Sequence, residues 1–246
     1  MKFRHLFFPL LILILACSPS SEVPESTGNI SPNQAITPLQ DYATLKTQIR
    51  LEQDSLHQAY LAANPRQKAL LLAQSRTLIL NHLSQDLIPQ WYGTAWDFNG
   101  ITQTPREGKI ACGYFVSTLL RDAGFQVQRA RMAQQASLYI IRSLSPKAQR
   151  QRWTHISTAT FAERMAAQPQ GLYVIGLDIH TGFILHDAAG VWFIHASYGN
   201  PAVVVREAAA TSAVLAQSQL FVLGRVDNDW LLKKWLNQEK VATVTK

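Results

Sequence analysis

The sequence predicts an α+β fold in which helices come first along the chain and an antiparallel sheet follows. Up to about Gln168, most apolar residues recur at intervals of three and four, which is typical of helices that bury one face. From Gly171 onward they alternate with polar residues or run continuously, as they do in strands. Two strand-like runs flank residues 187–190, whose Asp-Ala-Ala-Gly sequence predicts the turn of a β-hairpin. Helices followed by strands joined in this way favour the α+β class.

The N-terminus has the features of a secretory signal. Lys2 and Arg4 supply positive charge, residues 7–15 form an apolar stretch, and Cys17 follows a small residue. The apolar stretch is too short to span a bilayer comfortably. The residues around Cys17 resemble the bacterial lipobox, whose cysteine is lipidated and becomes the mature N-terminus. We therefore expect residues 1–17 to be a lipoprotein signal peptide, with a plain signal peptide or an anchoring helix as the alternatives.

A lipid on Cys17 would supply the acyl chains that stable membrane anchoring requires. Ser18, rather than an Asp, follows this cysteine, which by the same resemblance implies a place in the cell envelope at the outer membrane. The 246 residues carry a formal net charge of +7 without a run of Lys or Arg. This mild surplus allows a weak attraction to anionic envelope polymers, and we expect no binding to nucleic acid.

Three further regions follow the signal. Residues 18–36 are rich in Ser, Pro, Glu and Asn and have little to bury, which predicts a flexible linker. Residues 37–90 have a helical pattern interrupted at Asn64-Pro65, a good start for a second helix. This N-terminal helical extension is expected to form an antiparallel pair that packs on the main domain, residues 91–246.

Cys112 is predicted to lie in the first turn of a helix that Gly124 ends in a left-handed conformation. The positive end of the helix dipole there favours a thiolate, which is the nucleophilic form of cysteine. The alternative is a small buried core cysteine. If Cys17 is lipidated, Cys112 has no disulfide partner and is a free thiol, which favours a functional role. The helix buries the apolar positions Phe115, Val116, Leu119, Leu120 and Ala123.

The remaining elements follow from the same periodicities and turn signals. Residues 91–108 contain Gly and Pro without periodicity and are expected to be a loop. A short strand at 125–131, a helix at 132–144, a short helix after Ser145-Pro146 and a helix at 158–168 come next. The predicted later elements are strands at 172–177, 179–186, 191–197, 203–206 and 220–226, with short helices at 211–217 and 230–236.

The hairpin brings two histidines together. If Asp187 and Gly190 close the turn, His195 lies opposite Gly182 and on the same face of the sheet as His180. The two imidazoles are then diagonal neighbours within reach of each other, and Gly182 leaves room beside them. His186 belongs to the turn end and is expected to be exposed to solvent.

A cysteine nucleophile requires a histidine base, and the base requires a third group to orient it. Cys112, His180 and His195 therefore form a candidate Cys-His-His set, in which one histidine takes the thiol proton and the other holds its tautomer. Two polar residues on a half-solvated sheet face are one alternative. A metal site is another, although the sequence has no CxxC, no HExxH and no fourth ligand at a useful spacing.

Segments within residues 92–197 resemble the NlpC/P60 family of papain-like cysteine peptidases. Residues 92–100 are similar to the family's Gly-Thr-x-Tyr-x-Tyr-Gly-Gly run, and residues 112–116 stand where the family has Asp-Cys-Ser-Gly-Phe-Val. His180-Thr181-Gly182 matches the family's His-x-Gly segment, and residues 194–197 match its Ile-His-Ala-Ser segment. The chain departs from the family at Ala111, Gly113 and Trp96, and its loop before the cysteine is longer.

The resemblance implies a papain-like core with Cys112 as nucleophile, His180 as base and His195 as its orienting partner. It implies hydrolysis of amide bonds in peptidoglycan stem peptides, commonly next to D-glutamate or diaminopimelate, through a thioester and without a cofactor. The backbone N–H of Cys112 is the expected oxyanion donor. An amidase or acyltransferase of the same fold, and a non-catalytic envelope-binding lipoprotein, are the alternatives. Substrate contacts are expected from Tyr92, Trp96 and Asp97.

Overall fold

Two long helices begin the computed structural model, which describes residues 41–246. Asp41 caps the first helix by accepting hydrogen bonds from the backbone N–H groups of Ala43 and Thr44. Asn64 and Gln67 cap the second helix reciprocally, as the Asn64-Pro65 sequence suggests. The expected signal peptide, Cys17 and the linker lie outside the described residues. The first elements are α1 (Tyr42–Ala62), α2 (Pro65–Asn81), a π-helical turn (His82–Leu87) and α3 (Ile88–Trp91).

The cysteine-bearing helix follows a mostly irregular loop, as expected. Two short strands, β1 (Ala95–Trp96) and β2 (Lys109–Ile110), pair in parallel and lead into α4 (Cys112–Asp122). Gly124 has a φ angle of +92° just beyond the helix, and the N–H groups of Gly124 and Phe125 bond the carbonyls of Arg121 and Leu120. This is the left-handed helix end that the sequence predicts. All five predicted apolar positions of the helix are fully buried.

Short elements connect this helix to the sheet. The sequence predicts a short helix after Ser145-Pro146, and the structure has a single 3₁₀ turn there, followed by a strand that was not expected. That strand lies at the edge of the sheet and is half-buried. Its residues do not alternate clearly between apolar and polar, so periodicity does not predict it. The elements are β3 (Gln126–Val127), α5 (Arg129–Ala133), α6 (Ser137–Leu144), the 3₁₀ turn (Lys147–Gln149), β4 (Gln151–Thr154) and α7 (Thr158–Ala166).

Six antiparallel strands form the main sheet, in the order β4-β9-β5-β6-β7-β8. Asp187 pairs with Gly190 and Phe183 with Ile194, which confirms the predicted hairpin register. The α+β class with an antiparallel sheet is likewise confirmed. The later elements are β5 (Gly171–Gly176), β6 (Thr181–Asp187), β7 (Gly190–Ala196), β8 (Val204–Ala208), a 3₁₀ turn (Ala209–Thr211), α8 (Ala213–Ala216), β9 (Leu220–Arg225), α9 (Asp229–Leu236) and β10 (Lys240–Val241).

Helices cover both faces of this sheet. On one face, Phe115 of α4 packs edge-on against Phe183 of β6 at 5.9 Å between ring centroids. On the other face, Phe161 of α7 stacks on Phe221 of β9 at 5.0 Å. Side chains alternate between the two faces along each strand, so β5 is buried throughout. None of the helices in residues 41–246 is long and apolar enough to cross a bilayer.

The N-terminal helices share the larger of the two cores. Ile49 of α1 and Leu83 of the π-helical turn belong to the same buried cluster as Phe115. Gln53 of α1 donates through Nε2 to the carbonyls of Gly124 at 3.1 Å and Trp235 at 2.9 Å. The expected packing of the helical pair on the rest of the chain is therefore present.

Candidate active site

Cys112 is the first residue of α4, and its thiol lies against backbone amides. Ala111, the N-cap residue, makes no side-chain hydrogen bond to the helix. Burial raises the pKa of the Cys112 thiol, and the backbone N–H groups of Thr181, Gly113 and Cys112 itself lower it only in part. The N–H groups of Gly113 and Cys112 at the helix end lower the pKa of the thiol, which is the direction that the sequence predicts. Burial outweighs the amides, and the thiol is protonated at neutral pH.

His180 and His195 are joined by a hydrogen bond. Nε2 of His180 lies 2.8 Å from Nδ1 of His195, and both side chains are buried. His180 immediately precedes β6 and His195 lies on β7, so the confirmed hairpin register brings them together. A side chain at Gly182 would place its Cβ 2.7 Å from the Ile194 carbonyl oxygen and 2.8 Å from Cβ of His195. The room that was expected beside the histidines thus depends on this glycine.

Glu207 completes the row and was not identified from the sequence. Its Oε1 lies 3.2 Å from Nε2 of His195, and Ser212 donates to the same oxygen. Glu207 lies on β8, two residues beyond Val205, which pairs with His195. The predicted strand at 203–206 ended one residue short of it. Extending the strand by one residue would have placed a carboxylate diagonally opposite His195.

These hydrogen bonds determine which ring nitrogen of each histidine carries a proton. A carboxylate only accepts, so Nε2 of His195 carries the proton that is donated to Glu207. Nδ1 of a neutral His195 is then an acceptor, and it receives the Nε2 proton of His180. His180 is left with an unprotonated Nδ1, which is the form that accepts a proton from a thiol.

Burial sets the charge of this row. It lowers the pKa of His180 to about 3, with the neighbouring His195 as the second cause. Burial also lowers the pKa of His195, although Glu207 opposes it. For Glu207, burial alone would raise the pKa, but the hydrogen bonds from His195 and Ser212 bring it below its ordinary value. At neutral pH the row therefore holds two neutral imidazoles and one carboxylate.

Cys112 and His180 line one cavity of about 910 Å³. Trp96 and Tyr198 also line it, with their ring centroids 6.1 Å apart. The ring of Tyr198 stands edge-on to His180 at 5.1 Å. Burial and the nearby Cys112 raise the pKa of the Tyr198 hydroxyl, which is neutral and donates to Oε1 of Gln217 at 3.2 Å. The sequence identified Trp96 but not Tyr198.

The other residues expected to contact substrate do not line this cavity. Asp97 accepts hydrogen bonds from Lys109 Nζ at 3.2 Å and from the backbone N–H of Asn99 at 2.9 Å, so it braces the loop. Tyr92 packs against the main core, where burial raises its pKa to about 12.

His186 is half-buried rather than exposed, and its Nδ1 is buried without a hydrogen-bond partner among residues 41–246.

One departure from the NlpC/P60 pattern, at Gly113, has a local explanation. A Cβ at position 113 would lie 2.2 Å from the carbonyl oxygen of Ala133, so α5 packs against α4 too closely for a serine. Trp96 contributes its ring to the cavity, but its Nε1 is buried and has no hydrogen-bond partner among the described residues.

Within residues 41–246, no three His, Cys, Asp or Glu side chains are grouped to hold a metal ion.

Comparison of the chain with models of protein families, with curated proteins and with solved structures gave no significant match. The assignment of function therefore depends on the geometry and chemistry of the cavity.

Proposed function

We propose that this protein is a cysteine hydrolase that cleaves amide bonds through a thioester on Cys112. The observation that carries the proposal is the hydrogen-bonded row Glu207–His195–His180, whose two histidines are buried and which ends in the same cavity as a free cysteine at a helix N-terminus. Each member of the row fixes the tautomer of the next. A nucleophile helix packed on an antiparallel sheet, with the histidines on a hairpin of that sheet, also supports the proposed papain-like NlpC/P60 core.

In the proposed cycle, the substrate carbonyl lies beside the sulfur of Cys112. Sγ attacks the carbonyl carbon while Nδ1 of His180 takes the thiol proton. The backbone N–H of Cys112 donates to the developing oxyanion. The His180 imidazolium then protonates the amine, which leaves, and the thioester remains. Water, giving a proton to His180, hydrolyses the thioester and restores the thiol.

The thiol of Cys112 and the imidazole of His180 are both neutral before the reaction. The thiol proton is therefore transferred to His180 while Sγ attacks the carbonyl carbon. The raised pKa of Cys112 and the lowered pKa of His180, about 3, favour the neutral thiol and imidazole over a thiolate–imidazolium pair in the free protein. The ionised Glu207 compensates the positive charge that His180 and His195 share when the proton arrives. His195 and Glu207 are positioning residues in this scheme, since they act through His180.

The proposed substrates are stem peptides of peptidoglycan, as the NlpC/P60 resemblance implies, with the protein held at the outer membrane by a lipid on Cys17. An amidase or acyltransferase of the same fold is the second candidate, because the largely apolar cavity also suits an acyl donor. In that case an amine or alcohol, rather than water, accepts the acyl group from the thioester.

The test is incubation of the purified protein with peptidoglycan, with released fragments and acylation of Cys112 both followed by mass spectrometry. Hydrolysis of stem peptides should release fragments that are absent with Cys112→Ala and strongly reduced with His180→Gln. Acylation of Cys112 by other amides, without release of wall fragments, would favour the second candidate. No Cys112-dependent product from wall or amide substrates would leave only a binding function.

A further inference from the structure

We infer that the acyl side of the substrate is apolar and uncharged, an inference that rests on the proposed function and narrows it. No Lys or Arg is among the described residues that line the cavity around Cys112 or the smaller pocket that shares Cys112 and His180 with it. Asp178 lines the smaller pocket, and its carboxylate accepts hydrogen bonds from the Ser218 hydroxyl and the backbone N–H groups of Gln219 and Leu220. The polar side chains of the larger cavity outside the catalytic residues include Asn99, Gln134 and Gln135. These neutral amides can bond a substrate amide, but they offer no full charge to pair with an ionised group.

Exposed apolar side chains surround the same cavity. Phe98 is 80% exposed, Ile101 60% and Ile179 82%, and all three belong to its lining. Phe98 and Ile101 come from the loop after β1, and Ile179 from the loop before β6. Apolar side chains concentrated at a cavity with a nucleophile are what an apolar ligand would cover.

The guanidinium of Arg129, which packs on a side chain of the cavity wall, is committed to other partners. The Arg129 guanidinium lies 4.7 Å from the ring centroid of Tyr114, which lines the cavity. Its Nε donates to Thr118 Oγ1 at 2.7 Å, and its Nη2 donates to the carbonyls of Ile101 at 2.9 Å and Thr102 at 2.8 Å. A substrate carboxylate, such as that of D-glutamate or diaminopimelate, would therefore be desolvated there without an ion-pair partner.

An apolar acyl group has two sources, an apolar amino-acid residue of a peptide and a fatty acyl chain. Both carry methylene and methyl groups on the acyl side of the scissile bond, and both fit a cleft whose described lining offers no cation. Binding of N-acetyl-leucyl and decanoyl amides of one aminocoumarin would distinguish them, since the tighter ligand identifies the source.

The charge requirement is tested by binding to the Cys112→Ala variant, which cannot cleave the ligands. Hexanoyl and adipoyl amides of the same aminocoumarin have equal acyl lengths and differ by one terminal carboxylate. Fluorescence anisotropy should give a Kd about tenfold lower for the hexanoyl amide, because the cavity offers the carboxylate no cation. Equal affinities, or tighter binding of the adipoyl amide, would overturn the inference.

A charge introduced at the cavity gives a matched test. In the Cys112→Ala background, Ile179→Lys should shift the preference toward the adipoyl amide, whereas Leu51→Lys, on the exposed face of α1, should leave it unchanged. An unchanged preference with Ile179→Lys would show that the ligands bind elsewhere. Cleavage by the unaltered protein is measured separately. Preferential binding without cleavage would refute the hydrolase proposal but leave the inferred preference of the cavity intact.

Discussion

His180, His195 and Glu207 form a hydrogen-bonded row in which a single carboxylate determines the position of two protons. Glu207 accepts from Nε2 of His195, so His195 accepts from His180, and Nδ1 of His180 is left as the base. The two imidazoles are neutral at neutral pH because burial depresses the pKa of each. The direction in which protons are donated, from His180 to His195 and from His195 to Glu207, therefore depends on the hydrogen bond to Glu207.

Glu207→Gln should lower kcat by about 100-fold while leaving KM within a few-fold, because a carboxamide can either donate to or accept from Nε2 of His195. The alternative tautomers place a proton on Nδ1 of His180, which then cannot accept one from the thiol. Steady-state kinetics on any amide that the protein cleaves measures the effect.

Glu163→Gln, on the exposed surface of α7, is the matched control and should not change kcat. A Glu207→Gln variant with the full kcat would mean that the row does not set the tautomer of His180.

The thiol of Cys112 should react slowly at neutral pH, because burial raises its pKa above the ordinary value. A raised pKa means that the thiolate fraction falls short of that of a free cysteine at every pH below it. Alkylation by iodoacetamide should therefore accelerate with pH and still be rising at about pH 9.

Peptide mapping by mass spectrometry separates labelling at Cys112 from labelling at Cys17. A rate that is already constant between about pH 6 and pH 8 would indicate a preformed thiolate–imidazolium pair and would contradict the charge state described above.

At the scale of single elements, α4 shows how local sequence and packing combine. Its apolar stripe, its start near Cys112 and its end at Gly124 all follow from residues close in sequence. The requirement for glycine at position 113 does not follow from the local sequence. The carbonyl oxygen that a Cβ at this position would contact belongs to Ala133 of α5.

The substitution Gly113→Ala distinguishes the effect of local helix propensity from the effect of packing between α4 and α5. Helix propensity alone predicts stabilisation of roughly 1 kcal/mol. The contact with Ala133 instead predicts a loss of about 1–3 kcal/mol in the free energy of unfolding, because α5 must move. Urea denaturation measures the change.

Gly199→Ala provides the comparison, since a Cβ there meets first the Ser197 hydroxyl, at 3.2 Å. We expect it to alter stability by less than about 0.5 kcal/mol. Stabilisation by Gly113→Ala would show that α5 does not press on α4 as described.

At the scale of the whole molecule, the N-terminal helices and the sheet are stabilised by the same core. Ile49 of α1 is 1% exposed and lies in one cluster with side chains of α4, β6 and α9. Residues 41–246 accordingly form a single compact unit, and they should unfold together.

Ile49→Ala should destabilise residues 41–246 by about 2–5 kcal/mol through the cavity it leaves. Near-UV and far-UV circular dichroism should report one coincident thermal transition, shifted downward. Leu51→Ala, two positions away and exposed, should leave the transition almost unchanged. Separate transitions for helices and sheet would contradict the shared core.

Much of this architecture follows from periodicity. The helix-first order, the hairpin register and the approach of His180 to His195 are determined by residues near one another in the chain. Two-residue alternation fixes which side chains share a face of a hairpin. The sequence therefore identified Cys112, His180 and His195 as a candidate set, whereas Trp96 was expected near them only from the NlpC/P60 resemblance.

Only the tertiary structure decided which other groups complete the cavity and what charge it holds. Glu207 lies on β8, whose pairing with β7 brings its carboxylate to His195, and Tyr198 lies just beyond β7, where the fold places it near Cys112. The position of β9 between β4 and β5 likewise depends on long-range pairing. The protonated thiol and the low pKa of His180 come from burial, which is the sum of contacts from many elements. Local pattern predicts an element and its faces, whereas desolvation depends on everything that packs around it.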